Sequence, residues 1–172
     1  MNQLREDTGS RDAVISPCGK FRYYLEERFP GFPWSGPGVC FVMLNPSTAD
    51  ASKDDPTIRK CRGFAKKWFY SWFRVVNLFA YRATDPRDLK EAGYPIGPEN
   101  DKWVAHGVTT DMGWSPCVVI AWGNKGQESG MDQWMLQYLR LLEVQVRCLG
   151  VTSRDAPCHP LMLPYETKRE EF

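Results

Sequence analysis

Asn45 follows an apolar run, Val39 to Leu44, and precedes Pro46-Ser47-Thr48. Proline biases the residue before it toward an extended backbone, so the Asn45 side chain and carbonyl can face outward from the end of that run. Ser47 and Thr48 add backbone N–H groups that suit an anion, although Asn-Pro-Ser is also ordinary turn chemistry. Asn77 interrupts a second apolar run, Val75 to Ala80. A carboxamide inside a buried strand must find partners or cost about 1–3 kcal/mol. Its paired donor and acceptor match the edge of a nucleobase; the alternative is a structural bond to a neighbouring loop. His159, in Cys158-His159-Pro160-Leu161, is one of only two histidines. A neutral imidazole there can donate to an oxygen that gains negative charge, or can simply be a satisfied loop residue. His106 falls within a helical segment and reads as structural. Asp50, Asp54 and Asp55 lie together between these stretches. One such carboxylate can orient a water or stabilise an oxocarbenium-like sugar. Asp55 also suits a helix cap, whereas Asp50 has no structural explanation in the sequence.

The elements that must position these residues are legible. Val14 to Leu25 reads as two short strands around Pro17-Cys18-Gly19, and the Pro- and Gly-rich stretch 29–38 reads as a loop. Val39 to Leu44, Val75 to Ala80 and Val118 to Trp122 are apolar throughout or nearly so, as expected of strands covered on both faces. Val144, Val146 and Cys148 alternate with polar residues and give a fourth, more exposed strand. Asp55-Pro56 and Asp85-Pro86 open helices, Pro98 to Asp101 opens a segment running to Asp111, and Met131 to Leu142 is helical. Strands separated by helices predict a three-layer α/β/α sandwich on a parallel sheet, with ligands bound beyond the carboxyl ends of the strands. That edge collects Asn45 to Asp50, Asn77 to Arg82, Trp122 to Lys125 and the His159 loop.

With 172 residues, 42% of them apolar and 13% aromatic, the chain can bury one sizeable core and is expected to be a single domain with frayed tails at 1–12 and 166–172. No apolar run reaches membrane-spanning length, and the polar start lacks a signal core, so a cytoplasmic protein is expected. Six cysteines are spread singly, so no metal site is expected. The charge is nearly balanced, with 22 Lys+Arg and 21 Asp+Glu, but it is unevenly distributed. Residues 56–84 contain seven basic residues, no acidic ones and eight aromatics. Arg59, Lys60, Lys66 and Lys67 on the first helix, with Arg82, could run along phosphates; the alternative is a solvated basic face.

The text VCFVMLNPSTADASKDDPTIRKCRGFAKKW, RVVNLFAYRATDPRDLK, IGPEND and HPLML resembles a bacterial and phage family catalogued as domain of unknown function 1643, over about Ser16 to Leu163. More remotely, the layout resembles the uracil-DNA glycosylase superfamily. Met43-Leu44-Asn45-Pro46-Ser47 is similar to its first strand-end motif, Asn77 to its base-reading Asn, Trp122-Gly123 to its later strand end, and His159-Pro160-Leu161 to its closing His-Pro motif. Leu44 and Ser47 stand near positions where that superfamily usually has glycines. The cysteines of its iron–sulfur branches have no counterpart, so no cofactor is implied.

That resemblance implies a four-stranded parallel core in the order 2-1-3-4 with the N-terminal hairpin at the periphery, and an N-glycosylase acting on a flipped-out base. Asn77 would grip the base edge while Phe79 or Trp122 stacks on its face, with Pro46, Ser47 and Gly123 shaping the pocket. His159 would stabilise the departing base. Asn45, with Asp50 or Asp55, would hold the attacking water. The expected partner is nucleic acid, DNA ahead of RNA, or a nucleotide-like small molecule. Two alternatives share this pocket: a protein that binds a nucleotide or modified base without cleaving it, and an enzyme on free nucleosides or nucleotides.

Overall fold

The computed structural model describes residues 9–33, 35–109 and 116–172. Its centre is a seven-stranded mixed sheet in the order β1-β2-β4-β3-β5-β6-β7. The strands are β1 (Ser10–Ile15), β2 (Arg22–Arg28), β3 (Gly38–Met43), β4 (Trp72–Asn77), β5 (Cys117–Ile120), β6 (Val146–Cys148) and β7 (Glu170–Glu171). β4, β3, β5 and β6 pair in parallel, whereas β1, β2 and β7 join antiparallel at the flanks.

Side-chain alternation explains why the middle strands read as unbroken apolar runs. Val39, Phe41 and Met43 of β3 face one layer, and Cys40 and Val42 face the other, all of them buried. The first layer is α1 (Pro56–Lys67), which buries Ile58, Cys61, Phe64 and Ala65 against Phe41, Phe73 and Val75. The second is formed by α3 (Asn100–Val108) and α4 (Met131–Leu141), whose Val104, Val108, Met135 and Leu139 pack on Val42, Val76 and Ile120. Each large apolar side chain buried this way stabilises the fold by about 1.5–3 kcal/mol. Helix starts follow local chemistry. The Asp55 side chain accepts from the Ile58 N–H and Pro56 fills the first turn; Asp85 and Pro86 do the same for α2 (Pro86–Glu91).

The hairpin stands at the edge of the sheet, as expected: β2 pairs with β4, with Leu25 opposite Val75, so it extends the parallel core. The frayed tails expected at 1–12 and 166–172 are corrected. Arg11 of β1 donates to Asp54 at 2.6 Å, and Arg62 of α1 donates to both Asp54 and Glu27, locking the hairpin to α1. The stretch through Asp12 is therefore ordered from Ser10 onward, residues 1–8 lying outside the described part. At the other end Glu170–Glu171 pairs with β6, and the Arg169 guanidinium lies over the rings of Trp68 and Tyr70, so 166–172 is not a frayed tail. The third helix ends at Val108; the expected extension to Asp111 falls partly outside the described residues. No described helix is long and apolar enough to cross a membrane.

Candidate active site

At the carboxyl ends of β3, β4 and β5 lies a cavity of about 410 Å³, within the size range of small-molecule sites. Asn45, Pro46, Ser47, Asp55, Asn77, Trp122, Gly123 and His159 all line it. Residues separated by more than 110 positions in the chain thus share one concave surface because parallel strands end on the same side.

Asn77 is 1% exposed, and neither its Nδ2 nor its Oδ1 has a partner among the described residues. Its main chain is fully braced instead. Asn100, at the start of α3, donates from Nδ2 to the carbonyls of Asn77 (3.0 Å) and Leu78 (3.1 Å). The side chain is thus presented to the cavity by a rigid backbone and has nothing of its own to bond. Unpaired polar atoms concentrate here. Among the described residues seven buried side-chain N or O atoms lack a partner, and four of them belong to Arg22, Asn77 and Trp122, which all line the cavity.

Asn45 is used differently by its two ends. Its Nδ2 donates to the carbonyls of Ala83 (2.8 Å) and Pro46 (3.1 Å), and more weakly to Tyr81 (3.4 Å). With the Ala83 N–H bonded to Pro46 O, this clamps the loop after β3 to the loop after β4. Among the described residues no donor meets Asn45 Oδ1, which remains free to accept from a water. Ser47 bonds across the same seam to Thr84.

His159 opens a 3-10 turn, Pro160–Met162, and its Nδ1 accepts from the Leu161 N–H at 3.3 Å. That bond assigns the ring proton to Nε2. Burial pushes its pKa below the ordinary value, with the Asp55 charge opposing, so the ring is a neutral donor at pH 7. The His159 loop is pinned to the sheet: Gly123 N–H donates to Pro157 O and Cys158 N–H to Gly150 O, both at 2.9 Å. Gly123 has φ +68° and ψ −175°, a conformation that only glycine adopts without strain, and a Cβ there would sit 3.7 Å from that of His159.

Asp55 is buried at the cavity wall, with Oδ1 committed to the cap of α1. Trp122 is buried against Gly126, where a Cβ would come within 2.2 Å of the indole.

Asp50 and Phe79 are not part of the cavity lining. Asp50 Oδ1 accepts from Ser52 N–H, Lys53 N–H and the Ser52 hydroxyl, bonds that hold its pKa down at about 2. It makes a turn, which is the structural role its sequence position did not reveal. Phe79 lies past the end of β4, where the chain bends as Leu78 N–H and Phe79 N–H bond to the carbonyls of Met43 and Leu44. Its ring turns into the α3/α4 layer beside Tyr94.

The basic residues also divide. On α1, Arg59 is exposed, Lys60 sits over the Tyr165 ring, Lys66 over Phe29, and Lys67 approaches Glu166 at 3.8 Å. None of the four lines the cavity. Lys67 lies roughly 15 Å along the helix axis from Thr57 at the cavity wall. Arg82, by contrast, borders the cavity. With Lys20 it lines a shallow cleft of about 350 Å³ that shares Ser47, Ala83 and Thr84 with the main cavity.

Sequence reading missed Arg22 and Asn100, and placed Asn124 and Lys125 on the ligand edge without a role. Arg22 and Lys125 line the cavity, as does Asn124, whose Oδ1 accepts from the Thr152 hydroxyl. Arg22 carried the same signal as Asn77, a polar residue inside an apolar strand (Phe21-Arg22-Tyr23-Tyr24-Leu25). Among the described residues no group of three His, Cys, Asp or Glu side chains is arranged to hold a metal ion. The described cysteines are free thiols, and burial pushes that of Cys40 up to about 12.

No curated protein and no solved structure matches the chain significantly. A family model described as "Protein of unknown function (DUF1643)" matches residues 22–161, the span that contains the whole cavity lining, and the chain belongs to that family.

Proposed function

We propose that the protein is a nucleobase N-glycosylase that takes a flipped-out base into this cavity and hydrolyses its bond to the sugar. The carrying observation is Asn77, a buried carboxamide with both polar atoms unpaired among the described residues, at the wall of a cavity that His159 and Asn45 also line. An empty amide of this kind is complementary to the donor–acceptor edge of a base. The parallel order β4-β3-β5-β6 equals 2-1-3-4 in chain order, which supports the remote likeness to the uracil-DNA glycosylase superfamily.

In this reading the water held at Asn45 Oδ1, with Asp55 nearby, adds to the anomeric carbon. The carbon–nitrogen bond breaks and its electron pair leaves with the base, whose developing negative charge is met by the Nε2–H of His159. The water proton passes to Asp55 or to bulk solvent and ends on the base. Flipping costs a few kcal/mol, least at a mismatch, a damaged site or a single strand, and the pocket contacts offset it. DNA is the expected polymer.

One observation favours a second reading, a base- or nucleotide-binding protein without chemistry. Both candidate water-holding groups have structural duties, Asn45 Nδ2 in the loop clamp and Asp55 Oδ1 in the helix cap. An enzyme on free nucleosides or nucleotides would use the same groups. The deciding experiment is mass spectrometry of bases released from bacterial and phage DNAs, hypermodified ones included. Release that disappears with Asn77→Ala and His159→Ala supports the glycosylase. Tight binding with no released base supports the second reading.

A further inference from the structure

Arg22 is 2% exposed and lines the cavity together with Asn77 and His159. Of its five N–H donors, Nη1 bonds to the Ala49 carbonyl at 2.9 Å. Its Nε is buried without a partner, and among the described residues no carboxylate oxygen lies within bridging distance of the guanidinium. Asp55 attracts it through space only, and Arg82 and Arg11 repel it. A buried cation is tolerated when paired and fully hydrogen-bonded, and this one is neither. Ala49 needs a single donor, which an uncharged side chain could supply. Nothing among the described residues accounts for the fixed charge. Its backbone is held, with Arg22 N–H on Ala80 O at 2.9 Å, so the side chain cannot escape to solvent by a loop movement.

We infer that Arg22 receives an anionic oxygen of the ligand, so that the cavity takes a nucleobase or nucleotide fragment carrying a carboxylate or phosphate. The planar guanidinium fork matches two oxygens of such a group, and a charge-assisted pair inside a low-dielectric cavity is far stronger than one in water. Lys125 at the rim is already paired with Glu128 at 2.8 Å, so the buried charge of Arg22 is the one that the inference rests on. The inference rests on the cavity being a base pocket, as in the preceding reading, but not on bond cleavage.

The test is calorimetric titration of the full chain with four probes: uracil, orotate (the same ring with a carboxylate), deoxyuridine monophosphate and orthophosphate. Orotate or the monophosphate should bind about tenfold or more tighter than uracil, the worth of one charge-assisted hydrogen bond. Orotate ahead of the monophosphate places the anion on the base; the reverse, with orthophosphate competing, places it on the nucleotide. Arg22→Gln should erase the anion preference, Arg22→Lys should keep part of it, and Asn77→Ala should weaken uracil and anionic probes alike. Uracil binding as tightly as both anionic probes, an unchanged preference in Arg22→Gln, or no anionic probe binding at all would overturn the inference. If Arg22→Gln does not fold, Arg22→Lys and the wild-type preference decide. Uracil bound through Asn77 with no anion preference removes the Arg22 inference alone. Anion-selective binding without released base removes the glycosylase reading alone.

Discussion

Replacing Asn77 with leucine should make the protein more stable and useless. The two side chains share the same branching at Cγ, and the introduced leucine would lie among Met43, Ile58 and Val75, apolar residues that also line the cavity. In the wild type a buried amide leaves two polar atoms without partners among the described residues, a cost of about 1–3 kcal/mol. Taking the lower end of that range, a gain of about 1 kcal/mol is expected on removing it. For a domain of this size 1 kcal/mol corresponds to a rise in Tm of about 2–4 °C. The gain is a difference between two buried states and does not require any estimate of total stability. Thermal and urea unfolding of both chains measure it, and titration with uracil and orotate measures the loss of recognition in parallel. A drop in Tm of similar size would refute the reasoning, because it would mean that the amide bonds within the fold and is structural. Stability recovered by deleting a polar group is the signature of a residue kept for its ligand.

His159→Ala should slow single-turnover base release roughly 10²–10³-fold while changing affinity for uncleaved substrate far less, the pattern for a donor that acts on charge formed in the transition state; equal losses in rate and affinity would assign it to ground-state binding. Because burial lowers the pKa of His159, less than half of the rings are charged at pH 6.5, where an unperturbed histidine is about half charged. Base release should therefore keep more than half of its plateau rate at that pH, and a rate halving at or above 6.5 would contradict the assignment. Arg62 and Arg11 hold Asp54 at about 2, so its contribution to stability is complete above the unfolded carboxylate range near 4 and is lost as pH falls from about 4 to about 2. Arg62→Gln should flatten acid unfolding over that window, and an unchanged curve would count against the network. Neutralising Lys20 and Arg82 should reduce the salt slope of DNA binding by about 0.7–0.9 per lost phosphate contact; a larger reduction from the Lys66 and Lys67 pair would move the groove onto α1.

What the sequence made readable was whatever depends on neighbours in the chain. The Asp55-Pro56 cap, the β3 run and the strand-end positions of Asn45 and Asn77 are local, and period-2 alternation told which strands are covered on both faces. Alternation failed just beyond its domain. Asn77 and Phe79 share a face only while the strand continues, and β4 ends at Asn77, so Phe79 turns away. Asp50 failed for the opposite reason, since an Asx turn uses backbone donors two and three residues on that look like any loop. Asn100 was illegible, and the signal of Arg22 inside its apolar strand had no address, because the importance of both is created by pairing over long range. β2 must insert beside β4 before Arg22 meets the cavity, and α3 must dock before Asn100 reaches the carbonyls of Asn77 and Leu78.

The arrangement of bonds around the cavity separates support from function atom by atom. Main-chain groups at the strand ends are saturated: Asn100 holds the carbonyls after β4, Asn45 Nδ2 holds the loop carbonyls across the seam, and Gly123 N–H holds the His159 loop. The side-chain atoms that face inward are not saturated: both ends of the Asn77 amide and Arg22 Nε are buried without partners, and the Nδ1 bond of His159 leaves its Nε2–H for the cavity. A fold selected only for stability would have paired these groups or replaced them with apolar ones, since each costs free energy where it stands. Strain of this kind survives where a ligand resolves it, and the gathering of four of the seven such atoms among the described residues at one cavity, on the edge where α/β sheets bind their ligands, is the physical reason to look for chemistry there.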